Sequence, residues 1–232
     1  MVELLKQHQA ILEQSASPEE FAWALHNAQG ISQSARMMEL FESNPGQGFT
    51  YHDVAMAENA SWWHDQVGKT IIWAHNGHVS YHTMLQQIYP EKVMGTFLRE
   101  RFGEQYVSLG FSFGQGQFNA QTRTASGVSR EITTFSLGAP RPDSSNAVLQ
   151  GVELERYLLD LRHAPESVQA WLAEPRPFRI VPAAVSPDPQ EREAQSYTTG
   201  FAKDGKQTGS LRQWFDLIIH LDQITAAQRV KS

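Results

Sequence analysis

The sequence predicts an α/β fold: a helical N-terminal segment, then parallel-sheet strands, with an α+β insertion before a closing strand. Three observations carry this. The run Ile71-Ile72-Trp73-Ala74 is short, β-branched and aromatic, and lies between Gly68-Lys69 and Asn76-Gly77. Such a run reads as a strand buried on both faces, as strands of parallel sheets are. Residues 1–68 instead carry apolar side chains at helical spacing behind strong start signals. A second apolar run returns at 214–221 to close the sheet.

Taken in order, residues 2–14 read as an amphipathic helix with Leu5 and Leu12 on one stripe. Ser17-Pro18-Glu19-Glu20 opens a second helix: Ser17 as N-cap, Pro18 at the first position, Glu20 in the capping-box position. That helix places Phe21, Leu25, Ala28, Ile31, Met38 and Phe41 at helical spacing and ends before Asn44-Pro45-Gly46. A third helix is predicted over 50–67, with Thr50 as N-cap and Asp53 in the capping-box position. Val54, Ala57 and Ser61 give it a face of small residues for close packing. Beyond the 71–74 strand, a helix is predicted over 80–88. Another follows over 91–102, ended by Gly103.

Residues 106–113 alternate as a strand, Gly114-Gln115-Gly116 reads as a turn with a close backbone approach, and polar 117–130 reads as a loop. A strand follows over 131–137. Helical turns and a strand at 157–162 come next, then a short helix from Pro165 to Leu172. The proline-rich 175–189 is extended and 190–209 is a polar surface segment or hairpin. The implied organisation is a helical segment (1–68), a core strand with helices (69–112), an α+β insertion (113–210) and a closing strand (211–232).

Composition excludes several classes. With 232 residues, 41% of them hydrophobic, the chain supports one sizeable core or two small ones. A formal charge of −6 and the lack of a Lys/Arg cluster argue against nucleic-acid binding. The absence of cysteine excludes disulfides and thiolate metal sites. The N-terminus has no continuous apolar core of a secretory signal, and no stretch approaches a membrane span. The expectation is a cytoplasmic protein, with no membrane or nucleic-acid partner.

The candidate site is the end of the 71–74 strand. Ligands of open α/β sheets bind at the carboxyl ends of strands, and there His75 and His78 flank the Asn76-Gly77 turn. Two imidazoles can act together on one reacting group. His-x-x-His is a weak metal pattern without a nearby carboxylate or thiol, so no metal is assigned. His220 and Asp222 stand at the end of the closing strand, and His220 is a candidate for substrate contact.

The run I-I-W-A-H-N-G-H-V over 71–79 resembles the signature of the erythromycin esterase family. The resemblance extends to D-V-A-M-A-E-N-A-S-W (53–62), to the segment from Met94-Gly95 through G-F-S-F-G-Q-G-Q-F ending at Phe118, and to F-D-L-I-I-H-L-D-Q-I-T (215–225). These matches fall in order over nearly the whole chain. Family members run to roughly twice this length, and their first half carries a G-E-x-x-H-G-type motif that this chain lacks. The chain therefore looks like the second half of an erythromycin esterase-like fold.

The resemblance implies ester or macrolactone hydrolysis by water, without a covalent serine intermediate and without a cofactor. His75 and His78 would bind or polarise the carbonyl. His52 stands where relatives carry arginine, and it supplies a cation only when protonated. Asp53 would orient it; Asn76, Glu58 and His220 complete the substrate contacts. The general base would come from the other half, so the expected partners are a small-molecule ester and either a second copy or a separate N-terminal half. Two alternatives stay open: a non-catalytic remnant, and a metal- or ligand-binding module built on the histidines.

Overall fold

The computed structural model describes residues 1–84, 92–198 and 209–228. They divide into two compact units, one of Met1–Trp73 and one of the described residues from Ala74 onward. No helix among the described residues is long and apolar enough to cross a membrane.

The first unit is helical: α1 (Val2–Gln7), α2 (Gln9–Ser15), α3 (Pro18–Ser43) and α4 (Pro45–Val67). Ser17 caps α3 as expected, its hydroxyl accepting from the Glu20 N–H at 3.1 Å. The start of α4 differs from expectation. Asn44 ends α3 and caps α4, its side chain accepting from the Gln47 N–H at 3.3 Å. Pro45 lacks an N–H and has a preset φ, so it opens the helix at its first position rather than breaking the chain. Thr50 is therefore an interior residue, bonding back to the Gly46 carbonyl at 3.0 Å, and Asp53 is not in a capping position.

Of the expected small-residue face of α4, Ala57 and Ser61 are buried, while Glu58 and Asn59 bond Gln33 of α3. Trp62 packs edge-on to Trp23 (4.6 Å) and stacks on His26 (3.8 Å). Ile31 and Met38, expected on the buried stripe, are exposed.

The predicted strand at 71–74 is absent: the segment forms no strand among the described residues, and Ile71 is 93% exposed. A four-residue apolar run has no period, and strand formation is decided by the neighbouring backbone rather than by intrinsic preference. The helix predicted at 80–88 is not formed over its described part, 80–84; the remainder lies outside the described residues.

The second unit opens with the short helix α5 (Asn76–Val79), then α6 (Met94–Phe102), closed by Gly103 at φ +55°. The sheet follows. Its strands β1 (Leu109–Thr124), β2 (Gly127–Leu137), β3 (Arg156–Asp160) and β7 (Leu217–Ile224) stand in the order β2-β1-β7-β3. β5 (Ala184–Val185) pairs with β1, while β4 (Phe178–Arg179) and β6 (Tyr197–Thr198) form a separate pair. Helices α7 (Ser145–Gln150), α8 (Glu166–Ala173), α9 (Pro189–Gln195) and α10 (Leu211–Trp214) complete the unit.

The fold class is α/β, but the sheet is mixed. β1 runs parallel to β7 and β5, and antiparallel pairs join β1 to β2 and β3 to β7. The expected closing strand, β7, is interior.

The polar stretch read as a loop is a ribbon, with β1 continuing to Thr124 and β2 returning from Gly127 at φ +129°. Only Phe118 and Ala120 of this stretch alternate as apolar residues, both buried in the core, and the polar residues around and after them hid the strands. Gly114-Gln115-Gly116 is strand rather than turn, yet the close approach is real. At Gly116 (φ +137°) a Cβ would lie 2.0 Å from the Ile224 carbonyl oxygen of β7.

Phe118, Ala120, Phe135, Leu137 and Val185 form one apolar core. Phe178, Trp214, Phe215 and Ile218, each at most 1% exposed, occupy another region of the unit. Each such side chain contributes about 1.5–3 kcal/mol on burial.

Gly95 fixes the start of α6 against the strap that follows α5. A Cβ there would lie 2.3 Å from the Ser80 carbonyl oxygen and 2.4 Å from that of Val79. Gly95→Ala is therefore expected to cost about 1–3 kcal/mol, read as a lower urea midpoint at unchanged m value. An unaltered midpoint would show that the strap yields freely.

Candidate active site

The W-A-H-N-G-H stretch is held by its own side chains. His75 is the N-cap of α5, and its Nδ1 accepts from the Gly77 N–H at 3.1 Å. Its Nε2 lies 3.1 Å from the Val181 carbonyl, which can only accept. With Nδ1 accepting and Nε2 donating, the neutral Nε2–H tautomer is assigned. Desolvation holds the His75 pKa below the ordinary 6.5; the Val181 carbonyl opposes this and His78 adds a smaller lowering. Both ring nitrogens are engaged, so His75 could ligate a metal only by giving up one of these bonds.

Asn76 is clamped to β1. Its Oδ1 accepts from the Phe111 N–H at 2.9 Å, and its Nδ2 donates to the Phe111 carbonyl at 2.7 Å. β2 pairs with β1 only from Gly116 onward. The carboxamide thus acts as a one-residue substitute for a strand on that edge. His78, half-buried in the last turn of α5, has its ring centroid 6.3 Å from that of His75, at 71°. These histidines lie at a helix start and not, as expected, at the end of a strand.

The chain after α5 is fixed by residues to which the sequence reading assigned no role. The Val79 carbonyl accepts from the Tyr106 hydroxyl and the Ser108 hydroxyl, each at 2.7 Å. The Tyr81 hydroxyl donates to the Asp216 carboxylate, which also accepts from the Ser108 N–H at 3.0 Å. The Arg99 guanidinium lies over the Tyr81 ring at 5.0 Å. Burial, then the bond to Asp216, push the Tyr81 phenol above its usual range, so it stays a donor. Only a three-dimensional arrangement marks these residues.

His52, Asp53 and Glu58 lie in the first unit, on α4. His52 Nδ1 is 3.8 Å from the Asp53 carboxylate, and Asp53 is fully buried. Glu58 accepts from Gln33 Nε2 of α3 at 2.8 Å.

His220 is fully buried in the second unit. Its Nδ1 lies 3.0 Å from the Ser112 hydroxyl, which accepts from Asn146 Nδ2 at 2.9 Å. Asp222 bonds Gln150 at 2.9 Å. Asp160 and Arg162 form an ion pair, bonded at 3.0 and 2.7 Å.

Burial also holds the His220 pKa below 6.5, with Asp222 opposing. A lowered folded-state value means that the unfolded chain takes up the proton first as pH falls. Stability is then complete above about 6.5 and is lost as pH drops from 6.5 through the folded-state values of His75 and His220. The melting temperature should be level above pH ~7 and fall below it. In His220→Gln the fall should be smaller; an equal fall would remove His220 as a source.

Residues 1–224 match a family model described as erythromycin esterase. No curated protein sequence matches the chain. A Bacillus cereus protein of solved structure is similar at 32% identity and TM-score 0.79, over 97% of this chain and 50% of its own. A succinoglycan biosynthesis protein is similar at 26% identity and TM-score 0.72, over 97% and 51%. A mutant of the erythromycin esterase EreC, in its open conformation, shares the fold at 17% identity and TM-score 0.61, over 96% and 50%. The chain spans about half the length of the solved relatives it matches.

Proposed function

The chain belongs to the erythromycin esterase family, and from that membership we propose that it is a cytoplasmic ester hydrolase acting on a carboxylic ester or macrolactone through water. The observation that carries the reading is the double anchoring of the His75–His78 turn, by Asn76 on β1 and by His75 on Gly77 and Val181. Such anchoring presets an imidazole against a reacting group without further ordering at the moment of reaction.

In this reading His78 polarises the ester carbonyl and stabilises the developing oxyanion, and His75 holds the turn in the required tautomer. The chain spans half of its relatives, so the reading assigns the water-activating base to the half it does not span. That half is the protein partner, and the ester is the small-molecule partner.

The test is hydrolysis of an ester panel containing a macrolide and simple aryl esters. It is run with the chain alone and with the chain co-expressed with the uncovered half of the B. cereus relative. Turnover in the second preparation above the first is the expected result. Absence of turnover in both, with each preparation folded, sinks the proposal.

A further inference from the structure

We propose that the sheet face centred on Leu158 of β3 is the docking surface for the polypeptide that fills the half of the relatives this chain does not span. The cross-strand register sets Leu158 opposite Ile219, and Leu217 and Leu221 lie on the same face of β7. The other face of this sheet is closed, with Ser112, Ile218 and His220 each at most 1% exposed. On the Leu158 face the apolar residues are only partly covered, and Leu158 itself is 58% exposed.

A sheet with apolar residues on both faces is the pattern of an α/β protein whose two faces each carry a layer of helices. β3 also ends the sheet among the described residues, with β7 as its neighbour on one side. Exposed apolar residues continue before it at Val152 (49%) and Leu154 (54%).

The choice of occupant follows from length. Three solved structures contain this fold over 96–97% of the chain, and in each it accounts for only 50–51% of the whole. Each relative therefore carries a second body of protein of about equal size. An apolar helix from that body, laid across Leu158, Ile219 and Leu221, completes the layer that this face lacks. The surface deepens the proposed function, resting on its assignment of a partner half, yet it is read out by binding and not by catalysis.

The test co-expresses the chain with the uncovered half of the B. cereus relative carrying an affinity tag, followed by size-exclusion chromatography with light scattering. A one-to-one complex is expected. Leu158→Asp, at an exposed position, should weaken it at least ~10-fold with an unchanged melting curve, while volume-conserving Leu158→Met should retain it. The proposal is overturned by failure of the halves to co-purify, or by a complex indifferent to Leu158→Asp. It is also overturned by a homodimer of the chain that Leu158→Asp makes monomeric, since a second copy would then be the occupant. A complex that forms through Leu158 yet hydrolyses no ester leaves the docking surface standing and removes only the proposed activity.

Discussion

Replacing His78 with alanine is expected to lower ester hydrolysis by about 10²- to 10⁴-fold, the range for loss of one positioned imidazole. The change should leave stability within about 1 kcal/mol of the parent. The asymmetry between the two histidines is what makes the experiment informative. His75 spends both nitrogens on Gly77 and Val181, so His75→Ala should lose structure and activity together. His78 lies in the same turn, and in the proposed role its removal should cost turnover beyond any change in stability. The comparison is kcat and KM for both variants beside their urea midpoints. Hydrolysis by His78→Ala at the parental rate would eliminate the proposed role. A loss proportional to unfolding would reassign His78 to structure.

The second large effect is expected at Asn76. Asn76→Ala leaves the Phe111 N–H and carbonyl without their present partners on the open edge of β1. Two net hydrogen bonds, with the penalty for unsatisfied backbone groups, make the cost about 2–4 kcal/mol. Asn76→Asp separates the two bonds. The introduced carboxylate still accepts from the Phe111 N–H, but its second oxygen faces the Phe111 carbonyl, where a donor is required.

The introduced carboxyl should therefore have a folded-state pKa above its unfolded value. Its contribution is present when protonated and is lost as pH rises through the folded-state pKa. This variant should gain stability relative to Asn76→Ala on acidification, opposite in sign to the histidine effect. Chemical denaturation across pH measures both. Parental stability of Asn76→Ala would mean that the clamp is not what holds the turn.

Much of the candidate site was legible because its signals are local. His75, Asn76 and His78 drew attention through a turn dipeptide and a family-like signature within nine residues, and they do lie in one anchored turn. The supporting set was not legible. Ser108 and Asp216 meet across 108 positions of sequence, and Tyr81 and Tyr106 carry nothing in their flanking residues to mark them as anchors. His220 was noticed as a strand-end histidine. Its burial beside Ser112 and Asn146 depends on register, which no single strand specifies.

The same division runs through the fold. Sequence alone determined the start of α3, the end of α6 at Gly103, the α/β class and the return of an apolar strand near the C-terminus. These rest on caps, glycine conformations and apolar runs, whose energetics are settled among neighbours along the chain. Only the tertiary structure decided that residues 71–74 are not a strand, that 117–130 is the turn end of a two-stranded ribbon, and that β7 lies inside the sheet. Strand membership is a contract between distant backbones: each N–H and C=O must find its partner on another segment. The residues beside a strand record its apolar content but not which segment will be there to meet it.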